Sequence, residues 1–329
     1  MPFSVIIPLY NRPEEVNELL SSLCEQTVGE FEVIIVEDGS SRKSDEVVEK
    51  YRDRLDITYF HKTNSGPGLS RNAGAERAKY DYLIFFDSDC IIPPHYMETV
   101  TRSLTENFTD AYGGPDAALP SFTTVQKAIN YSMTSFFTTG GIRGKKQSMD
   151  RFHPRSFNLG VSRAAFNAIG GYGAMRFGED IDFSLRLLKA DFRTALIPEA
   201  YVYHKRRSTF RQFFKQVHNS GIARINLHLS HPGSLKAVHA LPALFVTAIS
   251  VILLLSPLYP ALLVVPVLYS LAICIDSLRL HKSFKVACYS IAAAWVQTTG
   301  YGTGFLSAAW RRLILKQPEF RSFDKKFYN

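Results

Sequence analysis

Phe31-Glu-Val-Ile-Ile-Val36, closed by Glu37-Asp38-Gly39-Ser40-Ser41, is the stretch on which the fold turns. A run that is apolar except for Glu32 suits a parallel strand buried on both faces. Upstream, Phe3–Leu9 is a β-rich run that ends in Tyr10-Asn11-Arg12-Pro13, a turn with proline at a helix start. Residues 14–26 then carry Val16, Leu19, Leu20 and Leu23 at helical spacing. Downstream, 45–51 reads as a helix, 57–60 as a strand, 69–78 as a helix, and Tyr82–Phe86 as a strand ending at Asp87-Ser88-Asp89. This alternation predicts an α/β fold with a doubly wound, mostly parallel sheet. Ligands of such sheets lie beyond the carboxyl ends of the strands. Tyr10-Asn11, Glu37-Asp38, residues 61–64 and residues 87–89 are therefore where a site is expected.

The chain has 329 residues, 46% of them apolar, which excludes intrinsic disorder. A net charge of +8 points to anionic partners such as nucleotide phosphates or lipid headgroups. Cys24, Cys90, Cys274 and Cys288 are far apart in sequence, so neither a disulfide framework nor a zinc site is expected. The first residues lack a basic region ahead of their apolar run and read as a strand start, not a signal peptide, which places the front of the chain in the cytoplasm. Beyond the first strands, 113–120 reads as a turn-rich link. The basic, glycine-rich stretch 138–156, with Arg143, Lys145, Lys146, Arg151 and Arg155, reads as a lid or acceptor loop. Residues 161–169 and 181–189 read as helices, and 210–226 as a basic amphipathic helix expected to contact a membrane surface.

Residues 236–310 differ in kind. Ala237–Leu255 holds no formal charge and only His239 as a titratable group, enough apolar length to span a bilayer. A second apolar stretch covers 258–275. Asp276, Arg279, His281, Lys282 and Lys285 then form a polar break, and 286–310 is a third stretch, weakened by Gln297, Gly300, Gly302 and Gly304. One such charge at mid-bilayer costs about 2.5–3.5 kcal/mol on insertion scales, so the break is expected at an interface. Two spans return it to the cytoplasm, but a third would strand Arg311, Arg312, Lys316, Arg321, Lys325 and Lys326 outside. The charge rule therefore favours a re-entrant or surface-lying third segment, bent at its glycines.

The residues that carry chemistry follow strands or open helices. Asp87 and Asp89 supply oxygen ligands suited to a hard cation such as Mg²⁺ or Mn²⁺, although Asp-x-Asp is also common in surface loops. Glu179 and Asp180 open a helix. There they could deprotonate an acceptor hydroxyl, or simply complement the helix dipole. His204 closes a β-like run and could ligate the cation, with Lys205, Arg206 and Arg207 attracting diphosphate.

Ser4-Val-Ile-Ile-Pro-Leu-Tyr-Asn11, Val36-Glu-Asp-Gly-Ser-Ser41, Asn64-Ser-Gly-Pro-Gly-Leu-Ser-Arg-Asn-Ala-Gly74, Phe86-Asp-Ser-Asp89 and Gly178-Glu-Asp180 occur in that order. The chain thereby resembles family 2 glycosyltransferases of GT-A fold, over roughly residues 3–225, extended by an α-helical membrane segment. The resemblance implies that Asp38 hydrogen-bonds the nucleotide base, with Pro8, Leu9 and Tyr10 lining its pocket. Glu37 stands where many relatives carry Asp. Arg71 would lie near the base or diphosphate, Asp87 would face the ribose and the metal, and Asp89 would bind the metal. Asp180 would be the catalytic base supported by Glu179, and His204 a ligand of the metal or the diphosphate. The implied reaction is an inverting, Mg²⁺- or Mn²⁺-dependent transfer from a nucleoside-diphosphate sugar, foremost a UDP-sugar, to a glycan or lipid-linked acceptor of the cell envelope. A processive Gln-x-x-Arg-Trp motif is missing, which favours addition of single sugars.

The expected organisation is a nucleotide-sugar-binding half at 1–100, an acceptor and catalytic half at 101–235, membrane helices at 236–310 and a basic tail at 311–329. It places the protein at the cytoplasmic membrane with its catalytic domain facing the cytoplasm. Among rivals, a dinucleotide-binding oxidoreductase is weakened because Arg71 replaces the third glycine of Gly66-Pro67-Gly68-Leu69-Ser70-Arg71 and Pro67 intrudes. A P-loop is also missing. A sugar-nucleotide nucleotidyltransferase would not need membrane spans, and a non-catalytic, membrane-attached nucleotide-sugar-binding protein stays open. Nucleic acid is disfavoured, because positive charge concentrates beside the acidic site and the membrane.

Overall fold

Phe3–Leu9 (β1) carries no charge, and its alternate side chains enter two different cores, which makes it the centre of the fold. Val5, Ile7 and Leu9 pack with Val16, Leu19, Leu20 and Leu23 of the helix Pro13–Leu23 (α1). Ile6 packs on the opposite face with Ile34, Val36, Phe85 and Phe183. A strand that must be apolar on both sides is what a sheet covered by helices on both faces demands. The computed structural model describes residues 1–119, 121–139 and 152–319. These form two compact units, one from the described residues of 1–119 and 147–205, the other from those of 120–146 and 206–319.

In the first unit β1 is followed by Phe31–Asp38 (β2), Asp45–Glu49 (α2), Asp56–Lys62 (β3), Pro67–Ala75 (α3), Tyr82–Phe86 (β4), Cys90–Ile91 (β5) and Tyr96–Glu106 (α4). Ala111–Gly113 (β6) and Asp116–Ala117 (β7) lie within the same unit. The second unit contributes Thr124–Thr134 (α5) and Phe136–Thr139 (α6), after which the first unit resumes with Asn158–Ser162 (β8), Arg163–Ala168 (α7), Glu179–Lys189 (α8), Thr194–Leu196 (β9) and Val202–His204 (β10). The main sheet runs β3-β2-β1-β4-β8-β6-β9. Its first four strands are parallel, with Val5 opposite both Val33 and Ile84, while β8 is antiparallel to β4 and β6. A small sheet, β5-β10-β7, sets His204 opposite Cys90.

Two expectations give way here. Residues 161–169 are not one helix: 158–162 form β8, and the helix starts only at Arg163, where the Ser162 hydroxyl caps it by accepting from the Ala165 N–H at 3.2 Å. The reason is tertiary. Gly160 lies against the Tyr112 ring so closely that a Cβ would sit 2.0 Å from it, and Leu159 and Val161 are both fully buried in the sheet. The link at 113–120 also contains β7. Of the lid expected at 138–156, residues 140–151 lie outside the described residues.

The second unit continues with Phe210–Ser230 (α9), Leu241–Leu255 (α10), Val264–His281 (α11) and Phe284–Ala309 (α12). Much of the apolar side of α9 packs within its own unit, while Phe214 stays exposed. Phe213 and Val217 pack with Ala128, Ile129 and Ala293, and Ile225 with Phe305 and Ala308. The polar break is also shorter than expected: α11 runs on through Asp276 and Arg279, and Asp276 accepts from the Tyr131 hydroxyl at 2.7 Å and from Ser135 at 3.3 Å. With its acid satisfied inside the unit, the helix need not end there. Lys282, at φ +50°, and the N-cap Ser283 make the actual break.

The third apolar stretch is one continuous helix through its glycines. Those glycines admit neighbours instead: a Cβ on Gly304 would lie 2.0 Å from the His218 carbonyl oxygen of α9, and one on Gly302 would lie 2.4 Å from the Pro242 carbonyl oxygen of α10. Small residues let helix backbones approach this closely. Ala237–Leu255 and Pro260–His281 are long and apolar enough to cross a membrane, with large side chains such as Leu254 (77% exposed) and Val267 (61%) on the outside. That pattern suggests membrane association.

Candidate active site

The loop after β1 is fixed by Asn11, which adopts the left-handed region at φ +53°. Its Oδ1 accepts from the Arg42 N–H (2.8 Å) and the Ser41 hydroxyl (3.1 Å), and its own N–H donates to Ser40 Oγ (2.8 Å). The β1 and β2 loops are thereby tied together. Pro8 and Tyr10 sit at this carboxyl end, with Pro8 opposite Val36 in the register, two residues before Asp38.

Asp38 is buried and its carboxylate is already occupied. Oδ1 accepts from Lys62 Nζ (2.7 Å) and the Ser65 N–H (2.9 Å), and Oδ2 from the Gly66 N–H (2.8 Å). Asp38 thus holds the 62–66 loop and the entrance to α3 in place, leaving about one of a carboxylate's four acceptor positions for a ligand. Beside it, Glu37 accepts from the Tyr59 hydroxyl (2.8 Å), the Ser44 N–H (3.2 Å) and Ser40. Burial first, and Glu37 next, raise the Tyr59 phenol far above its ordinary value, so it stays a donor.

Arg71 on α3 joins two acids far apart in sequence. Its Nη2 donates to Asp87 at 2.5 Å, its Nη1 to Glu179 at 3.4 Å, and its guanidinium lies 5.2 Å from the centre of the Tyr172 ring. Arg71 is buried, and burial alone would lower its pKa; Asp87, then Tyr172 and Glu179, override that and hold it above the ordinary value. Glu179 responds oppositely. Burial first, then the adjacent Asp180 carboxylate, push it up to about 7, with Arg71 partly opposing. Asp180 is held by Arg155 at 2.8 Å and accepts from the Ile181 N–H at 2.8 Å.

A second group gathers where β4 leads into β5. Asp89 Oδ2 accepts from Arg12 Nη1 at 2.6 Å, and Oδ1 lies 3.1 Å from His204 Nε2, whose ring stacks on Phe157. The Asp89 carbonyl accepts from the Lys205 N–H at 3.1 Å, which ties β10 to the same turn. Asp89, Cys90 and His204 offer ligand atoms within 4.8 Å of one another. Burial first, and Asp89 next, raise the Cys90 thiol well above its ordinary value. A carboxylate oxygen and an imidazole nitrogen about 3 Å apart match neighbouring ligands of an octahedral ion with bonds near 2.1 Å. The carboxylate and imidazole are compatible with a divalent cation such as Mn²⁺ or Mg²⁺.

Asp87, Arg71 and Glu179 are thus in direct contact, and Asp89 and His204 form their own contact beside Asp87. Lys205, expected to face diphosphate, pairs with Glu18 of α1 at 2.6 Å. Arg206 belongs to the other unit, where it donates to Asn130 at 2.9 and 3.1 Å. Two contributors were not singled out from the sequence: Arg12 and Tyr172. Lys62 falls within the 61–64 stretch where a site is expected, and Arg12 was within reach, since it lies just beyond a strand end. Tyr172 lies in a glycine-rich turn that gives no such signal.

A doubly wound, mostly parallel sheet with acidic groups gathered at its strand ends is the arrangement expected of a GT-A fold. The chain belongs to glycosyl transferase family 2, whose family model matches residues 4–170. It is 33% identical over 217 residues to a glycosyltransferase of Haemophilus influenzae, covering 63% of this chain and 70% of that protein. It is 38% identical over 114 residues to poly(ribitol-phosphate) beta-N-acetylglucosaminyltransferase TarS of Staphylococcus aureus, where the match spans 20% of TarS. Among solved structures, mannosyltransferase PcManGT of Pyrobaculum calidifontis in complex with GDP-Man and Mn²⁺ superposes with a TM-score of 0.65 at 15% identity, over 96% of this chain and 88% of that one. TarS 1–349 in complex with UDP-GlcNAc gives 0.50 at 20% identity, over 97% and 93%. At these identities the likeness is one of fold.

Proposed function

We propose that this protein transfers single sugars from a nucleoside-diphosphate donor to a hydroxyl acceptor, with inversion at the anomeric carbon. The observation that carries the reading is the Arg71 bridge, which sets Asp87 at a strand end beside Glu179 at the start of α8. Pro8, Tyr10 and Asp38 line the base pocket. Asp38 is oriented by its three internal hydrogen bonds, and its remaining acceptor position faces the base. Asp87 receives the ribose. Asp89 and His204, with Asp87, hold a divalent cation, which when bound supplies positive charge to the departing diphosphate. Asp180 takes the proton of the acceptor hydroxyl, and its Arg155 partner at 2.8 Å holds the carboxylate in place. Glu179 supports the pair from behind, through Arg71.

A UDP-sugar is the first candidate donor, since TarS is a beta-N-acetylglucosaminyltransferase seen with UDP-GlcNAc. GDP-mannose, the donor seen in PcManGT, is the second. The exposed apolar helices argue for a membrane-bound acceptor, a lipid-linked or cell-envelope glycan, with the catalytic unit on the cytoplasmic side. The test is nucleotide release by the full-length protein in detergent, with UDP- and GDP-sugars and Mn²⁺. D180N is expected to lower turnover about 10²–10⁴-fold, the range of a lost general base, with unchanged melting, and D89A to abolish it, with a lower melting temperature because the buried acceptor of Arg12 is lost. Nucleotide release by D180N at the wild-type rate would remove Asp180 from the reaction.

A further inference from the structure

Asp89 is almost fully buried, with its side chain 8% exposed, and it does not stand alone: Arg12, 32% exposed, donates to it at 2.6 Å. The pairing is built into the backbone. Asn11, locked in its left-handed turn by Ser40, Ser41 and Arg42, fixes the residue before Arg12, and Pro13 starts α1 directly after it. The same carboxylate faces His204 through its other oxygen. A guanidinium cannot give up its charge at any accessible pH. A divalent ion approaching Asp89 and His204 therefore meets a fixed positive charge about 5 Å away, in a place largely closed to water. An orienting partner of a metal ligand is commonly worth about 10–100-fold in metal affinity. Repulsion between a divalent ion and a guanidinium at that separation exceeds this even at the higher effective dielectric of protein sites.

We propose that Arg12 couples cation binding to diphosphate binding. It neutralises and positions Asp89, opposes a cation that arrives alone, and yields when the negative charge of a nucleoside diphosphate offsets both positive groups. The cation then binds tightly only together with the donor, and by linkage the donor binds tightly only together with the cation. Arg12 acts through Asp89 and is a positioning residue. The inference rests on the cation reading given under Proposed function.

The experiment is a Mn²⁺ titration of the full-length protein in detergent, followed by electron paramagnetic resonance, without nucleotide and with UDP and GDP in turn. R12M is expected to bind Mn²⁺ alone about tenfold more tightly than the wild type, equivalent to ~1.4 kcal/mol, and to gain less from nucleotide. R12Q, a second neutral variant, behaves like R12M, while R12K keeps the charge and stays with the wild type. Melting profiles identify any variant that has lost its fold. If the wild type binds Mn²⁺ and both neutral variants bind it no more tightly, the coupling role of Arg12 is overturned while the cation site stands. If neither the wild type nor any folded variant binds Mn²⁺, with or without nucleotide, the cation reading itself falls and this inference with it.

Discussion

Replacing Glu179 by glutamine removes a carboxylate whose ionisation its surroundings resist. Its side chain is 15% exposed, lies beside the Asp180 carboxylate, and receives only a long 3.4 Å contact from Arg71. Folding raises its pKa from 4.5 to about 7. The native state therefore holds a proton that the unfolded chain releases between those two values, and stability must fall as pH rises through that window. The full cost, about 3 kcal/mol at each pH above 7, follows from 1.36 kcal/mol for each tenfold change in proton affinity. Below about pH 4.5 both states are protonated and the penalty vanishes. E179Q cannot ionise, so its advantage over the wild type should be small at pH 5 and grow by up to about 3 kcal/mol by pH 8. For a unit of this size that is roughly 6–10 °C in melting temperature. The assay is thermal melting of both full-length proteins in detergent, without donor, from pH 5 to 8. A melting difference independent of pH, or a variant that falls further behind as pH rises, would refute the claim that burial and Asp180 govern this group.

Three further outcomes follow from the geometry. G304A should cost about 1–3 kcal/mol or more, because its new Cβ meets the His218 backbone oxygen, which cannot move aside without shifting α9; G29A, with nothing within 4 Å, should stay within about 0.5 kcal/mol by the same denaturation assay. D38A leaves the Ser65 and Gly66 N–H groups and Lys62 without their acceptor and should destabilise by about 2–4 kcal/mol, read by chemical denaturation, with donor binding lost alongside. Y131F removes the 2.7 Å donor to Asp276 and should lower the melting temperature in detergent, whereas D276N, which still accepts from Tyr131, should lower it less.

The chain shows how unevenly a fold is written into its sequence. The strands β1 to β4 and the helices between them were legible because each depends on local signals: apolar runs buried on both faces, a proline at N1, turn residues after each strand. The acids of the site were legible for the same reason, since strand ends are where such sheets bind. β8 was not, because its last two residues read as the start of a helix and the strand depends on the close approach of Tyr112 to Gly160. The span limits near Asp276 were not legible either, because the charge that argues for a break is satisfied by Tyr131, more than a hundred residues away.

By itself, then, the sequence determined the doubly wound sheet, the positions of Asp38, Asp87 and Asp89 at or just beyond its strand ends and of Glu179 and Asp180 at a helix start, and the two apolar helices. Each is a matter of neighbouring residues and periodicity. Only the tertiary structure decided which charges neutralise which: Arg71 between Asp87 and Glu179, Arg12 on Asp89, Arg155 on Asp180. It alone showed the glycines of α12 to be contact points for α9 and α10. The physical reason is the same in each case. Coulomb and packing energies depend on distance in space, and chain separation carries almost no information about that distance until the sheet has formed.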